Sequence, residues 1–141
     1  MKMQYHSTEH LERKTEFNRV MVAAAQGAQQ LLIVTPDKMD TLEDYLKSAF
    51  GEKPAKELRS KKQLKINDGL TVFLEGKKDD SGFAKGNVFL PWASMSTFDR
   101  AYSDPRSVNT FYIPHSGPNS GPGTIDELSV YLAKYKSSKA V

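Results

Sequence analysis

Three short apolar segments, each ended by a proline, most constrain how this chain of 141 residues can fold. They are LLIVTPD from Leu31, NVFLPWAS from Asn87 and TFYIPHSG from Thr110. Short, continuous apolar runs are typical of strands that are covered on both faces, and such strands occur mainly in parallel sheets. The sequence therefore predicts an α/β fold in which these segments are neighbouring strands.

Amphipathic helices are predicted before, between and after these strands, because apolar residues recur there at three- and four-residue spacing. The first predicted helix runs from about Thr8 to Gln26, and the second starts at Asp40 or Thr41 and runs to Phe50. A short basic helix begins at Pro54, since proline suits the first turn of a helix. Two further helices are predicted at Ser96–Tyr102 and Ile125–Tyr135.

The segment QLKINDGLTVFLEG predicts a hairpin, with Asn67, Asp68 and Gly69 supplying the turn. A helical crossover before it predicts that QLKI runs parallel to LLIV. The hairpin and the loop at Lys77–Gly86 each reverse the chain, so NVFL is predicted to be parallel to LLIV again. The next helix makes TFYI parallel too.

Together these elements predict one α/β domain over residues 1–141, with a mixed, mostly parallel sheet of about five strands and helices on both faces. Residues 1–7 and 136–141 are predicted to be frayed ends. The strand runs and one helix stripe predict a single shared core. Its members are Leu32, Val34, Leu46, Phe50, Phe73, Phe89, Leu90, Phe111 and Ile113.

Composition excludes several classes of protein. Because there is no cysteine, disulfides, zinc–thiolate sites and thiol catalysis are excluded. Hydrophobic residues make up 38% and charged residues 26%, which is typical of a folded domain. No apolar run approaches the ~20 residues that a membrane-spanning helix needs. The first residues also lack an apolar signal core, so a cytoplasmic location without membrane contact is predicted.

The carboxyl ends of the proline-ended strands predict the functional site, because ligands of open α/β sheets bind at that edge. There an indole can stack on a ring, and an imidazole and carboxylates can exchange protons. The predicted ligand-binding residues are Thr35, Trp92, Ser94, Ser116, Gly123 and Thr124. The candidate acid–base residues are His115, Asp37 and Glu127.

A glycine-rich segment, SGPNSGPGTIDEL, leads into the last predicted helix. Thr124 and Glu127 have the spacing of a capping box, which predicts a helix start. Gly121–Leu128 also resembles the second half of the glycine loop GGxGTxxE of LOG-type nucleotide-processing proteins, although Ser120 replaces the preceding glycine. The resemblance implies a phosphate-binding loop with a catalytic glutamate. Both interpretations stay open, and the acidic residues at this helix start favour the cap.

A basic segment from Lys53 to Lys65 has six positive residues against Glu57, within a net charge of +3 for the whole chain. It is either a solvated helix face or a surface for an acidic partner or nucleic acid. The cations are Lys53, Lys56, Arg59, Lys61, Lys62 and Lys65.

The segment HSTEH, from His6 to His10, matches a zinc-protease pattern that needs both histidines on one helix. Because it stands beside the N-terminus, we predict only a frayed helix start. No metal site and no cofactor are predicted.

Two classes of function remain. The chain has no G-x-S-x-G motif and no complete phosphate loop. This favours a small non-catalytic binding or regulatory module that contacts a partner protein or a small anionic ligand through the carboxyl edge of its sheet. The alternative is an enzyme acting on a nucleotide or other phosphorylated small molecule, with His115 or Glu127 as acid–base group. Nucleic-acid binding through the basic segment is a third interpretation.

Overall fold

The proline-ended segments form three adjacent strands of one sheet in the computed structural model, which describes residues 3–8, 12–35, 39–76, 81–114 and 127–141. Seven strands lie within these ranges: β1 (Met3–His6), β2 (Gln30–Val34), β3 (Gln63–Asn67), β4 (Leu70–Glu75), β5 (Gly86–Ala93), β6 (Ser107–Pro114) and β7 (Lys139–Ala140). The helices there are α1 (Arg13–Ala25), α2 (Met39–Phe50), α3 (Glu52–Lys61), α4 (Met95–Ser103) and α5 (Glu127–Lys134).

The sheet has the strand order β3-β4-β2-β5-β6-β1-β7. Every pair is parallel except β3–β4, which is antiparallel. The predicted α/β fold with a mixed, mostly parallel sheet is therefore confirmed. None of the helices in the described ranges is long and apolar enough to cross a membrane.

The predicted direction of QLKI is wrong, and so is the predicted reversal of the chain between β4 and β5, since both of these strands run parallel to β2. β3 occupies the outer edge and runs against β4, while β4 returns beside β2 and parallel to it. Burial explains why β4, and not β3, lies beside β2. β4 is buried along most of its length, whereas β3 buries only Leu64. The more apolar strand takes the interior place, where both faces of the sheet are covered.

The sheet has seven strands instead of about five because both predicted frayed ends contain a strand. β1 lies between β6 and β7, and the ring of Tyr5 stacks on Phe111 with 4.7 Å between centroids. His6 therefore lies in a strand and not at a helix start. The first helix begins later than predicted, where the Glu12 side chain accepts hydrogen bonds from the backbone N–H groups of Lys14 and Thr15.

Eight of the nine predicted core residues are buried, and Phe50 is partly buried at the end of α2. They do not share one core, because successive strand residues point to opposite faces of the sheet. The first face, under α1, α2 and α3, holds Leu46, Phe89, Phe111 and Ile113. The second face, under α4 and α5, holds Leu32, Val34, Phe73 and Leu90.

Candidate functional site

The carboxyl ends of β2, β5 and β6 lie at one edge of the sheet, because these strands are adjacent and parallel. Four of the predicted site residues belong to the described part of the chain: Thr35, Trp92, Ser94 and Glu127. The others lie outside the described residues: Asp37, His115, Ser116, Gly123 and Thr124. The capping box and the phosphate-loop interpretation of Gly121–Leu128 depend on that second group, and both stay predictions.

A bulge at Trp92 is the main backbone irregularity of this edge. β5 continues past Pro91 to Ala93, so the predicted strand end at Pro91 is wrong. The register of β5 against β6 shifts between Pro91 and Ala93, and Trp92 has a φ of 52°. Bulges accommodate proline within a sheet and redirect the neighbouring side chain. A positive φ is uncommon for a bulky residue and costs of order 1–3 kcal/mol.

The redirected indole belongs to a group that we call the Trp92 cluster, formed by Arg13, Phe17, Tyr45 and Trp92. The Tyr45 and Trp92 ring centroids are 4.9 Å apart, and the Arg13 guanidinium lies 5.6 Å from the indole centroid. Phe17 is fully buried and anchors both rings at 5.7 and 6.1 Å. Trp92 and Tyr45 are half-buried and Arg13 is exposed. The cluster is thus a partly accessible aromatic surface with a cation over it.

Trp92 is the one member of this cluster that the sequence predicts as a site residue. Phe17 and Tyr45 fit the apolar stripes of the first two predicted helices, and Arg13 belongs to no distinguishing pattern. Their association depends on how α1 and α2 pack at the carboxyl edge. The helical periodicity predicts that Phe17 and Tyr45 face the core, but no spacing in the sequence relates them to Trp92.

The other described candidates have structural roles at this edge. The Ser94 hydroxyl oxygen accepts a hydrogen bond from the Thr97 backbone N–H at 3.3 Å and so caps α4. The Thr35 backbone N–H donates to the Glu75 carbonyl at 2.9 Å, which extends the pairing of β2 with β4. Glu127 begins α5, and its negative charge adds to burial in raising the pKa of Tyr112.

His6 belongs to a separate polar contact on the second face. Its Nδ1 lies 2.7 Å from the Ser138 Oγ, which is also 2.7 Å from the Tyr131 hydroxyl. His6 is 4% exposed, and burial lowers its pKa. The contact ties β1 to the segment that follows α5. Among the described residues, no group of three or more His, Cys, Asp or Glu side chains is arranged to hold a metal ion.

The predicted basic segment forms α3 and the edge strand β3, and acidic side chains lie beside three of its cations, Arg59, Lys61 and Lys65. Arg59 pairs with Glu43 at 2.6 Å, and Lys61 pairs with Glu57 at 3.2 Å. Lys65 approaches Asp68 at 3.6 Å. These partners reduce the field that the segment presents to a polyanion. Nucleic-acid binding through it stays a prediction.

The chain matches no protein-family model, and searches of curated proteins and of solved structures found no significant match.

The positive φ of Trp92 can be tested with two substitutions at this position. Glycine is usually about 0.5–1 kcal/mol less stabilising than alanine inside a strand. At a φ of 52° the order is expected to invert, because alanine keeps a backbone strain that glycine relieves. We expect the free energy of unfolding of Trp92→Gly, measured by urea denaturation, to be at least equal to that of Trp92→Ala. Ala93→Gly, one residue away in the same strand, is the matched control and should be destabilising. If Trp92→Ala were more stable than Trp92→Gly by the usual difference of about 0.5–1 kcal/mol, the strained geometry would be contradicted.

Proposed function

We propose that this chain is a non-catalytic binding or regulatory domain that contacts a partner protein through the Trp92 cluster at the carboxyl edge of its sheet. The observation that carries the proposal is a half-buried tryptophan held at a strained bulge, between a tyrosine ring and an arginine guanidinium. Tryptophan, tyrosine and arginine are the residue types most enriched among side chains that dominate binding energy in protein interfaces.

The packing of the cluster supports a binding role. Phe17 joins the two accessible rings to the core of the first face, so the surface is held in place before a partner arrives. A preformed surface loses less conformational entropy on binding than a mobile one. Tyrosine and tryptophan rings also offer a large contact area with few rotatable bonds.

The backbone at Trp92 gives independent support. Strained residues persist where the surrounding structure enforces them, and they concentrate at ligand-binding and switch regions. Here the bulge turns the indole toward the rings of α1 and α2 at the sheet edge. A strand that continued regularly would need no positive φ at a bulky residue, so the strain favours a functional reason for the indole's position.

The charged groups of the described residues favour binding over catalysis. Hydrogen bonds from Arg106 and Ser81 outweigh the effect of burial and lower the pKa of Glu75. Asp99 is likewise held ionised by Tyr135 and Lys134, which lower its pKa against the effect of burial. Both carboxylates join separate elements of the fold, and neither belongs to the Trp92 cluster.

Site-specific photo-crosslinking tests the proposal in cells that express the chain. A benzophenone amino acid replaces Lys14, which is exposed beside Arg13, or Val22, which is 54% exposed farther along the same helix. We expect an adduct of defined mass from position 14 and none from position 22. Adding Trp92→Ala should abolish the adduct while circular dichroism shows an intact fold. Equal adducts at both positions, no adduct at position 14, or an adduct unaffected by Trp92→Ala would overturn the proposal.

A further inference from the structure

A cavity of about 230 Å³ lies on the second face of the sheet, opposite the Trp92 cluster. It separates α4 from β2 and β4. Three strand side chains, Leu32, Val34 and Val88, contribute apolar surface to its lining. The charged lining residues are Glu75, Arg100, Asp104 and Arg106. The cavity therefore combines an apolar surface with ionised groups, as small-molecule sites do.

The N–H donors of the Arg106 guanidinium already have acceptors within the protein. Its Nε donates to Asp104 at 3.1 Å. One terminal nitrogen donates to Glu75 at 3.0 Å and to the Phe83 carbonyl at 3.2 Å, and the other donates to Glu75 at 2.9 Å and Asp104 at 2.7 Å. A guanidinium has five N–H donors, so none is left for a ligand.

The guanidinium of Arg100, unlike that of Arg106, can bind a ligand. It lies on the exposed side of α4 and lines the same cavity. No described residue gives it a hydrogen bond or an ion pair. Its planar guanidinium is suited to bind a carboxylate through two parallel hydrogen bonds.

We infer that this cavity binds a small aliphatic carboxylate, whose hydrocarbon part contacts Leu32, Val34 and Val88 and whose carboxylate pairs with Arg100. The volume holds about seven to eight groups of the size of water, at ~30 Å³ each, which accommodates an acid with four or five carbons. Glu75 and Asp104 disfavour a doubly charged phosphate, because it would place two further negative charges beside theirs.

Isovalerate is the probe, followed by NMR of the labelled full chain. Ala101 of α4 also lines the cavity. We expect saturable shifts at the methyl groups of Val34, Val88 and Ala101, with a Kd in the millimolar range, as suits so small a ligand. Isovaleramide, which lacks the charge, and acetate, which lacks the hydrocarbon part, should each bind at least tenfold more weakly. Inorganic phosphate should leave these methyl groups unshifted.

Two variants locate the site. Arg100→Gln should weaken isovalerate binding at least tenfold, whereas Lys53→Gln, an exposed cation on α3, should leave it unchanged. Ala101→Leu should fill the cavity and abolish the shifts. No saturation at tens of millimolar isovalerate, equal binding of isovaleramide, or unchanged binding to Arg100→Gln would overturn the inference. If Ala101→Leu fails to fold, the arginine variant and the amide still decide the question.

Discussion

Replacing Gly86 with alanine is expected to destabilise the fold by about 3 kcal/mol or more, among the largest effects of any single substitution in this chain. A Cβ at this position would lie 2.2 Å from the Gln30 carbonyl oxygen and 2.9 Å from its carbon. These are backbone atoms of the neighbouring strand and cannot rotate away. Relief would require β5 to move from β2 at the centre of the sheet.

Gly69→Ala is the matched control for this prediction. A Cβ at Gly69 would meet the Asn67 side-chain oxygen at 3.5 Å, an ordinary contact in an exposed turn. Its cost should stay within about 1 kcal/mol. Urea denaturation of both variants measures the difference. Equal stabilities for the two variants would contradict the close approach of β5 and β2.

Arg106→Met is expected to cost about 3 kcal/mol at neutral pH, because it leaves Glu75 buried without its partner. The Glu75 side chain is 9% exposed and that of Arg106 is 31% exposed, so solvent screens the pair only in part. The guanidinium also joins the Phe83 carbonyl and Asp104, which belong to two different connections of the fold. Lys61→Met, which breaks the exposed pair with Glu57, is the matched control and should cost at most about 0.5 kcal/mol.

The pH dependence of this loss has a defined sign. The folded-state pKa of Glu75 lies below its ordinary value of 4.5, so its contribution to stability is present above that value. The contribution disappears as the pH falls through the folded-state pKa. The stability difference between the wild type and Arg106→Met should therefore be largest near neutral pH and shrink below about 4.5. A loss no greater than that of Lys61→Met, or a loss independent of pH, would contradict a buried ion pair.

The parallel order of the central strands could be predicted from sequence because burial on both faces has a local signature. β2, β5 and β6 contain continuous apolar runs. The predicted direction of β5 is right only because two errors cancel, since β3 and β4 each run opposite to the predicted direction. β1 has no such signature. The residues Met3–His6 alternate and include a glutamine and a histidine, and they form a strand through pairing with β6 and β7, which both follow about a hundred residues or more later. A single sequence window does not contain those partners.

The position of the candidate site at the carboxyl edge of the sheet could be predicted from sequence, but the residues that form it could not. A proline after an apolar run indicates the end of a strand, yet Pro91 is tolerated inside β5 because the register shifts beside it. Trp92 is predicted at this edge after the end of a strand, and the structure places it at the edge but inside β5. Its strained backbone and its contacts with Tyr45 and Arg13 arise from tertiary packing. The pairing of Arg106 with Glu75, 31 residues apart, arises in the same way.

Titration calorimetry of the crosslinked partner with the wild type and with Trp92→Ala tests the proposed binding surface most directly. A tryptophan that dominates an interface contributes about 2 kcal/mol or more, so the Kd of the variant should be at least thirtyfold weaker. Val130→Ala, an exposed apolar residue on α5, should leave the Kd unchanged. Equal affinities for the wild type and Trp92→Ala would contradict the assignment of this edge as the binding surface.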